Sequence, residues 1–357
     1  MMNTIKAIKQ IDRITGPVLL KLFPKAFKAD LKAGPLKKIL VIRPGGMGDA
    51  LLLLPILKEI ASSFHVTIDI LCEPRNKSVF KSVIFINRIF SYRDLKSMLS
   101  VFQKKYDAVF DTEQSHFLSA IITRLLRADI KIGFKTNGRE KMYSKSINYT
   151  HQCYEAKMFW KLFSSLYLVN NNFHFNFPYF KQHDHYQNPN FKRKQAVCLF
   201  PGATIDERLW PEERWAKVID WLADHGWHSV LLGSKKEKGQ CKKIISMCKT
   251  NKIINMCSRL SILQTSWFFK RASLLITTDS GMLHLGVLSG LPTISLFGSG
   301  IKAKWAPTGK QHITIYKNLE CSPCTKFGTT PPCPNNYRCM VQITPEEVIA
   351  VAHAHLS

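Results

Sequence analysis

From Lys38 onward the chain alternates short apolar runs with longer amphipathic stretches, as expected of buried parallel strands joined by helices. Ile39-Leu40-Val41-Ile42 is the first such run, and Val66–Leu71, Ile84–Phe90 and Asp107–Asp111 follow. The pattern breaks around residues 170–195, where Asn170-Asn171-Asn172 and then His183–Asn190 are polar and turn-rich. It resumes at Ala196–Phe200 and continues through Ser229–Leu232, Lys252–Asn255, Leu274–Thr277 and Thr293–Phe297. Glu212–Asp224 and Lys235–Cys248 read as helices between these runs. The pattern predicts an α/β fold of two Rossmann-like lobes, residues 38–180 and 190–345, followed by a C-terminal helix at 346–357. Sheets of this type bind ligands beyond the carboxyl ends of their strands, so a cleft faced by both lobes is the expected site.

Residues 1–37 follow a different rule. Ile5, Ile8, Ile11, Ile14, Val18 and Leu22 recur at three- or four-residue steps, with Lys6, Lys9, Arg13, Lys21, Lys25 and Lys28 among them. Such a basic amphipathic segment either lies on an anionic membrane surface or packs on the body of the protein. Gly16-Pro17 interrupts the pattern and weighs against a continuous membrane helix.

Three segments carry candidate chemistry. Arg43-Pro44-Gly45-Gly46-Met47-Gly48-Asp49 follows the first strand. Its glycines let a backbone approach a ligand, but it has neither the dinucleotide fingerprint nor the Gly-Lys-Ser/Thr ending of a phosphate loop. Asp49 at the helix start is either a cap or a base able to accept a proton from an attacking hydroxyl. Pro201-Gly202-Ala203-Thr204, then Arg208-Leu209-Trp210-Pro211-Glu212-Glu213-Arg214-Trp215, form the second segment. Arg208 there is either a solvated loop residue or a partner for a pyrophosphate, and Pro211 is suited to open a helix. The third, Thr277-Thr278-Asp279-Ser280-Gly281-Met282-Leu283-His284, ends a strand and starts a helix. Its free N–H groups suit phosphate oxygens, and His284 lies one turn further in.

Together these segments resemble the lipopolysaccharide heptosyltransferase family, over roughly residues 38–350. Asp279–His284 is similar to that family's Asp-Ser/Thr-Gly-x-x-His element, Ile42–Asp49 to its first strand and loop, and Trp210–Trp215 to its Trp-Pro-x-x-x-Trp/Phe segment. The resemblance implies the GT-B architecture, with inverting, metal-independent transfer of heptose from ADP-heptose to a lipid A-core oligosaccharide acceptor. It implies Asp49 as catalytic base and Thr204, Arg208, Glu237, Asp279, Ser280, Gly281 and His284 as donor-binding residues. Arg43, Gly46, Lys135 and Arg139 are then the acceptor-binding candidates. Lys131, Lys135, Arg139, Lys141 and Lys145 cluster in the first lobe and either meet a phosphorylated acceptor or form a solvated basic loop. No Asp-x-Asp pair of the kind that holds a divalent ion with a nucleotide occurs.

Composition changes this picture in three ways. Fifty-one Lys and Arg against 25 Asp and Glu give a net charge of +26, which favours a polyanionic partner such as an anionic inner-membrane surface or a phosphorylated acceptor. Nucleic acid is not expected, because few aromatics interleave with the basic stretches and no nucleic-acid-binding motif appears. The longest apolar run, Ala50–Leu57, falls far short of the about 20 residues that span a bilayer. With no signal-peptide pattern, a cytoplasmic protein, peripheral at the inner membrane, is expected. Four of the ten cysteines, Cys321, Cys324, Cys333 and Cys339, follow C-x2-C-x8-C-x5-C. That density suits a structural zinc or iron ion, although no cofactor is required by the expected reaction. Enzymes that heptosylate autotransporter proteins carry a four-cysteine iron, so protein heptosylation is the alternative function.

Overall fold

The apolar run at Lys38–Arg43 forms the central strand β1, with Ile39 to Ile42 fully buried. Burial on both faces is why the run is continuous and not alternating. The computed structural model describes residues 2–27, 36–168, 180, 195–326 and 328–357, with side chains of the first helix from Gln10 on. The chain divides into two units, Met1–Tyr179 and Phe180–Ser357. Nearly all of the polar break at 170–195 lies outside the described residues.

In the first unit α1 (Met2–Leu22) precedes β1, and α2 (Met47–Ser63), β2 (Thr67–Cys72), α3 (Lys77–Lys81) and β3 (Arg88–Ser91) follow it. Then come α4 (Leu95–Gln103), β4 (Lys105–Asp111), α5 (Phe117–Leu125), β5 (Arg127–Lys135), β6 (Lys145–Asn148) and α6 (Glu155–Ser164). The six strands are parallel in the order β3-β2-β1-β4-β5-β6. Leu40 and Ile42 point to one face, where they meet Leu71, Val101, Val109 and Ile122. Burying each such side chain contributes about 1.5–3 kcal/mol.

The second unit repeats the plan. It contains β7 (Ala196–Phe200), α7 (Glu212–Asp224), β8 (His228–Leu231), α8 (Lys238–Met247), β9 (Ile253–Asn255) and α9 (Ile262–Phe269). After these come β10 (Leu274–Thr278), α10 (Gly281–Leu288), β11 (Thr293–Phe297), α11 (Lys302–Trp305), β12 (His312–Tyr316), α12 (Arg338–Val341) and α13 (Pro345–Leu356). The parallel order is β12-β11-β10-β7-β8-β9. Trp210 and Trp215 lie edge to face at 5.1 Å in the core, and the Trp210 indole donates to the Ile343 carbonyl. The tryptophans of the Trp-Pro segment are therefore core residues. Pro211 caps α7 from outside, one position earlier than expected.

Two readings of the sequence are corrected here. Strands β5, β6 and β12 were not foreseen; the lysine-rich stretch holding β5 and β6 looked like a loop. The C-terminal helix expected at 346–357 is α13, and the N-terminal segment packs on the body, one of the two readings open for it. α13 opens with a Thr344/Glu347 capping box and places Val348 and Ala352 in the second unit's core, whereas α1 packs on α5. Gly16-Pro17 does not break α1, which runs through it. A Cβ on Gly16 would stand 2.4 Å from Phe117, so the glycine is a point of close helix contact. Asp12 caps α5 across the packing, accepting from the Phe117 and Leu118 amides at 2.9 and 2.7 Å. α5's own N-cap residue, His116, makes no such side-chain bond.

Candidate active site

In each sheet the chain reverses its direction of winding between two central strands, β1 and β4 in the first unit and β7 and β10 in the second. The loops diverge there and leave a crevice at the strands' carboxyl ends. The motif residues sit at these two places.

In the first unit the turn after β1 needs Gly45, whose φ is +106° and whose Cβ would crowd the Arg43 guanidinium at 2.9 Å. Glu73, just after β2, accepts from the Gly45 amide at 3.1 Å and fixes the turn. Gly46 is the N-cap of α2, with open space where its Cβ would be. Asp49 is therefore in the first helical turn and is not the cap. Its side chain is 21% exposed, and Arg43 Nη2 holds its Oδ2 at 3.1 Å.

Arg43 is the hub of this half. Its side chain is 2% exposed, it donates to the Thr112 carbonyl at 2.7 Å, and it lies 3.8 Å from Glu113. Burial alone would lower its pKa, but Asp49, Glu113 and Glu155 together raise it above the ordinary value. Arg43, expected among the acceptor-binding residues, is thus buried and bonded to Asp49. Arg139, another of those candidates, is also an internal residue. Fully buried, it donates to Asp111 Oδ2 at 2.8 Å and to the Glu113 carbonyl at 2.6 Å. Burial would push the Glu113 carboxyl up, yet His116, Arg43, Arg139 and the Ser115 amide hold it well below the usual range. Gln114 and Tyr149 both donate to Glu155, the tyrosine at 2.6 Å.

The basic cluster foreseen at 131–145 also divides. Lys131 donates to the Arg124 carbonyl at the end of α5, Lys141 to Lys21 at the end of α1, and Lys145 to Ser165 at the end of α6. A cation at a helix C-terminus satisfies orphan carbonyls and opposes the helix dipole. Lys252 does the same at the end of α7. Part of the basic excess is thus structural, while Lys135, at the end of β5, stays exposed.

In the second unit Arg208 and Asp279 come together. Arg208 Nη1 is 3.1 Å from Asp279 Oδ2, and the guanidinium lies over the Trp305 ring at 5.5 Å. Gly300 lies so close to Asp279 that a Cβ would stand 1.9 Å from its carboxylate. Ser280 is the N-cap of α10, its hydroxyl 3.2 Å from that of Thr277, and Gly281 is the first helical residue. Thr278 donates to the Gly202 carbonyl at 2.6 Å and ties the two loops together. Thr204 is exposed, and Lys236 donates to its carbonyl and to that of Ala203. Glu237 is buried beside Gly202, one oxygen taking both the amide and the hydroxyl of Ser234. His284 is only 3% exposed and sits inside α10, deeper than the motif alone suggested.

Sequence reasoning missed Glu113, Glu155, Tyr149, Lys236 and Trp305. For Glu113 a signal existed: Asp111-Thr112-Glu113 is an acidic cluster directly after a buried strand. The others become visible only through the contacts that the fold makes.

The four C-terminal cysteines influence one another. Burial, reinforced by Cys333 and Cys321, raises the thiols of Cys324 and Cys339 above the usual value. Among the described residues, however, no group of three or more His, Cys, Asp or Glu is arranged to hold a metal ion.

The family model for glycosyltransferase family 9 (heptosyltransferase) matches residues 95–333. Lipooligosaccharide heptosyltransferase 2 of Campylobacter jejuni subsp. jejuni serotype O:6 is 25% identical over 331 residues, covering 87% of this chain and 97% of that protein. Two solved structures share the fold. The glycosyl transferase family 9 protein from Veillonella parvula DSM 2008 has a TM-score of 0.73 and 18% identity, covering 91% of this chain and 99% of that one. The E. coli heptosyltransferase WaaC with ADP-2-deoxy-2-fluoro heptose has a TM-score of 0.68 and 18% identity, covering 89% and 99%.

Proposed function

The chain belongs to glycosyltransferase family 9 (heptosyltransferase), and from that membership we propose that it transfers heptose from ADP-heptose to an inner-core sugar of lipopolysaccharide, with inversion. The relatives' names support the donor and acceptor classes. The acceptor is carried on lipid A, and the enzyme works at an anionic inner-membrane surface.

Asp49 takes the proton of the acceptor hydroxyl as its oxygen attacks the anomeric carbon. The bond from that carbon to the diphosphate oxygen breaks, and ADP leaves with the electron pair. The second unit's groups stabilise the departing charge: Arg208, the N–H groups at the start of α10, and the Ser280 hydroxyl. Glu237 meets the ribose through the oxygen that Ser234 does not occupy. These groups supply the positive field without a metal.

One observation carries the reading. Asp49 keeps a fifth of its side chain exposed, in the first turn of α2, and is held by a buried arginine that itself bonds Thr112 and lies beside Glu113. Such a carboxylate is positioned yet reachable, as a general base must be. The test is ADP release from a panel of nucleotide sugars, with and without deacylated lipopolysaccharide core, before and after chelation. Release that does not depend on the core, or that favours a donor other than ADP-heptose, refutes the substrate assignment. Loss of activity on chelation refutes metal independence.

A further inference from the structure

We propose that α1 docks the protein on anionic lipid bilayers through an apolar stripe that the fold leaves uncovered. This extends the reading that the acceptor is membrane-borne, and it rests on its own geometry.

The helix packs on the body with the face that its apolar periodicity did not point to. Asp12, Gly16 and Leu20 turn toward α5: Asp12 caps it, Gly16 lies against Phe117, and Leu20 is buried with Ala120, Ile121, Met142 and Tyr143. At about 100° per residue, Ile11, Ile14, Val18 and Leu22 fall within an arc of about 80° on the opposite side. They are 59%, 66%, 61% and 73% exposed. Phe27, just beyond the helix, is 89% exposed. A row of large apolar side chains on one helix face is not the scattered exposure common on protein surfaces.

The helix is also held in place. Lys141 donates to the Lys21 carbonyl, and the Ala26 amide donates to the Lys141 carbonyl at 2.9 Å. The helix that presents the stripe is therefore tied to the body at both Asp12 and its C-terminal end.

Charge selects the occupant. Lys21 is exposed at the edge of the stripe, Arg13 and Lys25 are exposed elsewhere on the segment, and the one acidic residue of α1, Asp12, is buried in the contact with α5. Apolar residues flanked by cations suit acyl chains beneath anionic headgroups. A second copy of the chain would bring these cations against one another, which disfavours the stripe as a dimer face.

The test is cosedimentation of the full chain with phosphatidylcholine vesicles, with and without phosphatidylglycerol. Wild type is compared with the double variant Ile14→Asp, Val18→Asp. Both positions are exposed, so the variant should keep its fold, which circular dichroism verifies. Wild type should prefer the anionic vesicles and lose binding in high salt, and the double variant should bind at least about tenfold more weakly. Equal binding by wild type and variant overturns the proposal, as does the absence of a preference for anionic lipid. A wild-type dimer that the variant dissociates, without vesicle binding, reassigns the stripe to self-association. Transfer to a water-soluble acceptor should be unchanged in the variant. If wild type binds vesicles but transfers no heptose, the functional reading fails and the docking inference stands.

Discussion

Replacing Asp49 by Asn separates a base from a counter-ion. The amide oxygen can still accept from Arg43, so the 3.1 Å contact survives in neutral form. Arg43 also keeps the Thr112 carbonyl at 2.7 Å and Glu113 at 3.8 Å, so the substitution does not strand a buried charge. With Asp49 one-fifth exposed, the lost attraction lies nearer the about 0–1 kcal/mol of a surface pair than the about 3–5 kcal/mol of a broken buried one. A loss of about 1 kcal/mol lowers the melting temperature by roughly 2–4 °C for a domain of this size. The chemical step should suffer far more. General-base catalysis contributes roughly 10²–10⁴ in rate, which is about 2.7–5.4 kcal/mol at about 1.36 kcal/mol per decade. The assay is single-turnover transfer from ADP-heptose, with donor affinity and thermal unfolding measured on the same preparation. The expected result is a rate down by at least about a hundredfold with donor affinity and fold retained. A variant that transfers within a few-fold of wild type would show that Asp49 serves only to balance Arg43.

Further perturbations test the supports of each half. Glu113→Gln removes a buried counter-ion of Arg43 and Arg139 and should cost about 3–5 kcal/mol in chemical denaturation. The folded pKa of Glu113 is depressed below its ordinary 4.5, so its stabilisation is complete above that value and is lost as pH falls through the folded pKa. Wild type should therefore lose stability in acid more steeply than the glutamine variant, and parallel acid titrations would contradict this. Asp12→Ala uncaps α5 and should cost about 1–2 kcal/mol, with hydrogen exchange rising in α1 and at Phe117 and Leu118; unchanged exchange there would mean that α1 is held by other contacts. Arg208→Lys keeps the charge but loses the planar stack on Trp305 and the contact with Asp279. Donor affinity should weaken about tenfold with acceptor affinity unchanged, as measured by calorimetry with ADP.

Much of the fold was legible because buried parallel strands write themselves as uninterrupted apolar runs. β7 and β11 fall on the residues expected, and β1, β4, β8 and β10 within two residues at either end. β5, β6 and β12 were not legible. In β5, Arg127, Asp129, Lys131 and Lys135 alternate with Ala128, Ile130, Ile132 and Phe134, a half-buried pattern that a reading based on uninterrupted apolar runs passes over. The site motifs were also readable, since a strand, a glycine turn and a helix start are local features, and they placed Asp49, Ser280 and Gly281 at helix beginnings.

Which charges face solvent, and which serve the fold, was decided only by tertiary structure. Arg43 and Arg139 look like loop cations in the sequence, yet each is buried because its carbonyl and carboxylate partners, from Asp111 to Glu113, arrive from β4. Lys131, Lys141 and Lys145 look like one basic patch, but helix ends elsewhere in the chain claim them separately. α1 makes the point most directly. Its period announced an amphipathic helix correctly, but not which side would be covered. That depended on two amides of α5, more than a hundred residues away, needing an acceptor that Asp12 provides. Periodicity reports that a helix has two faces; only the partner it meets decides which one is buried.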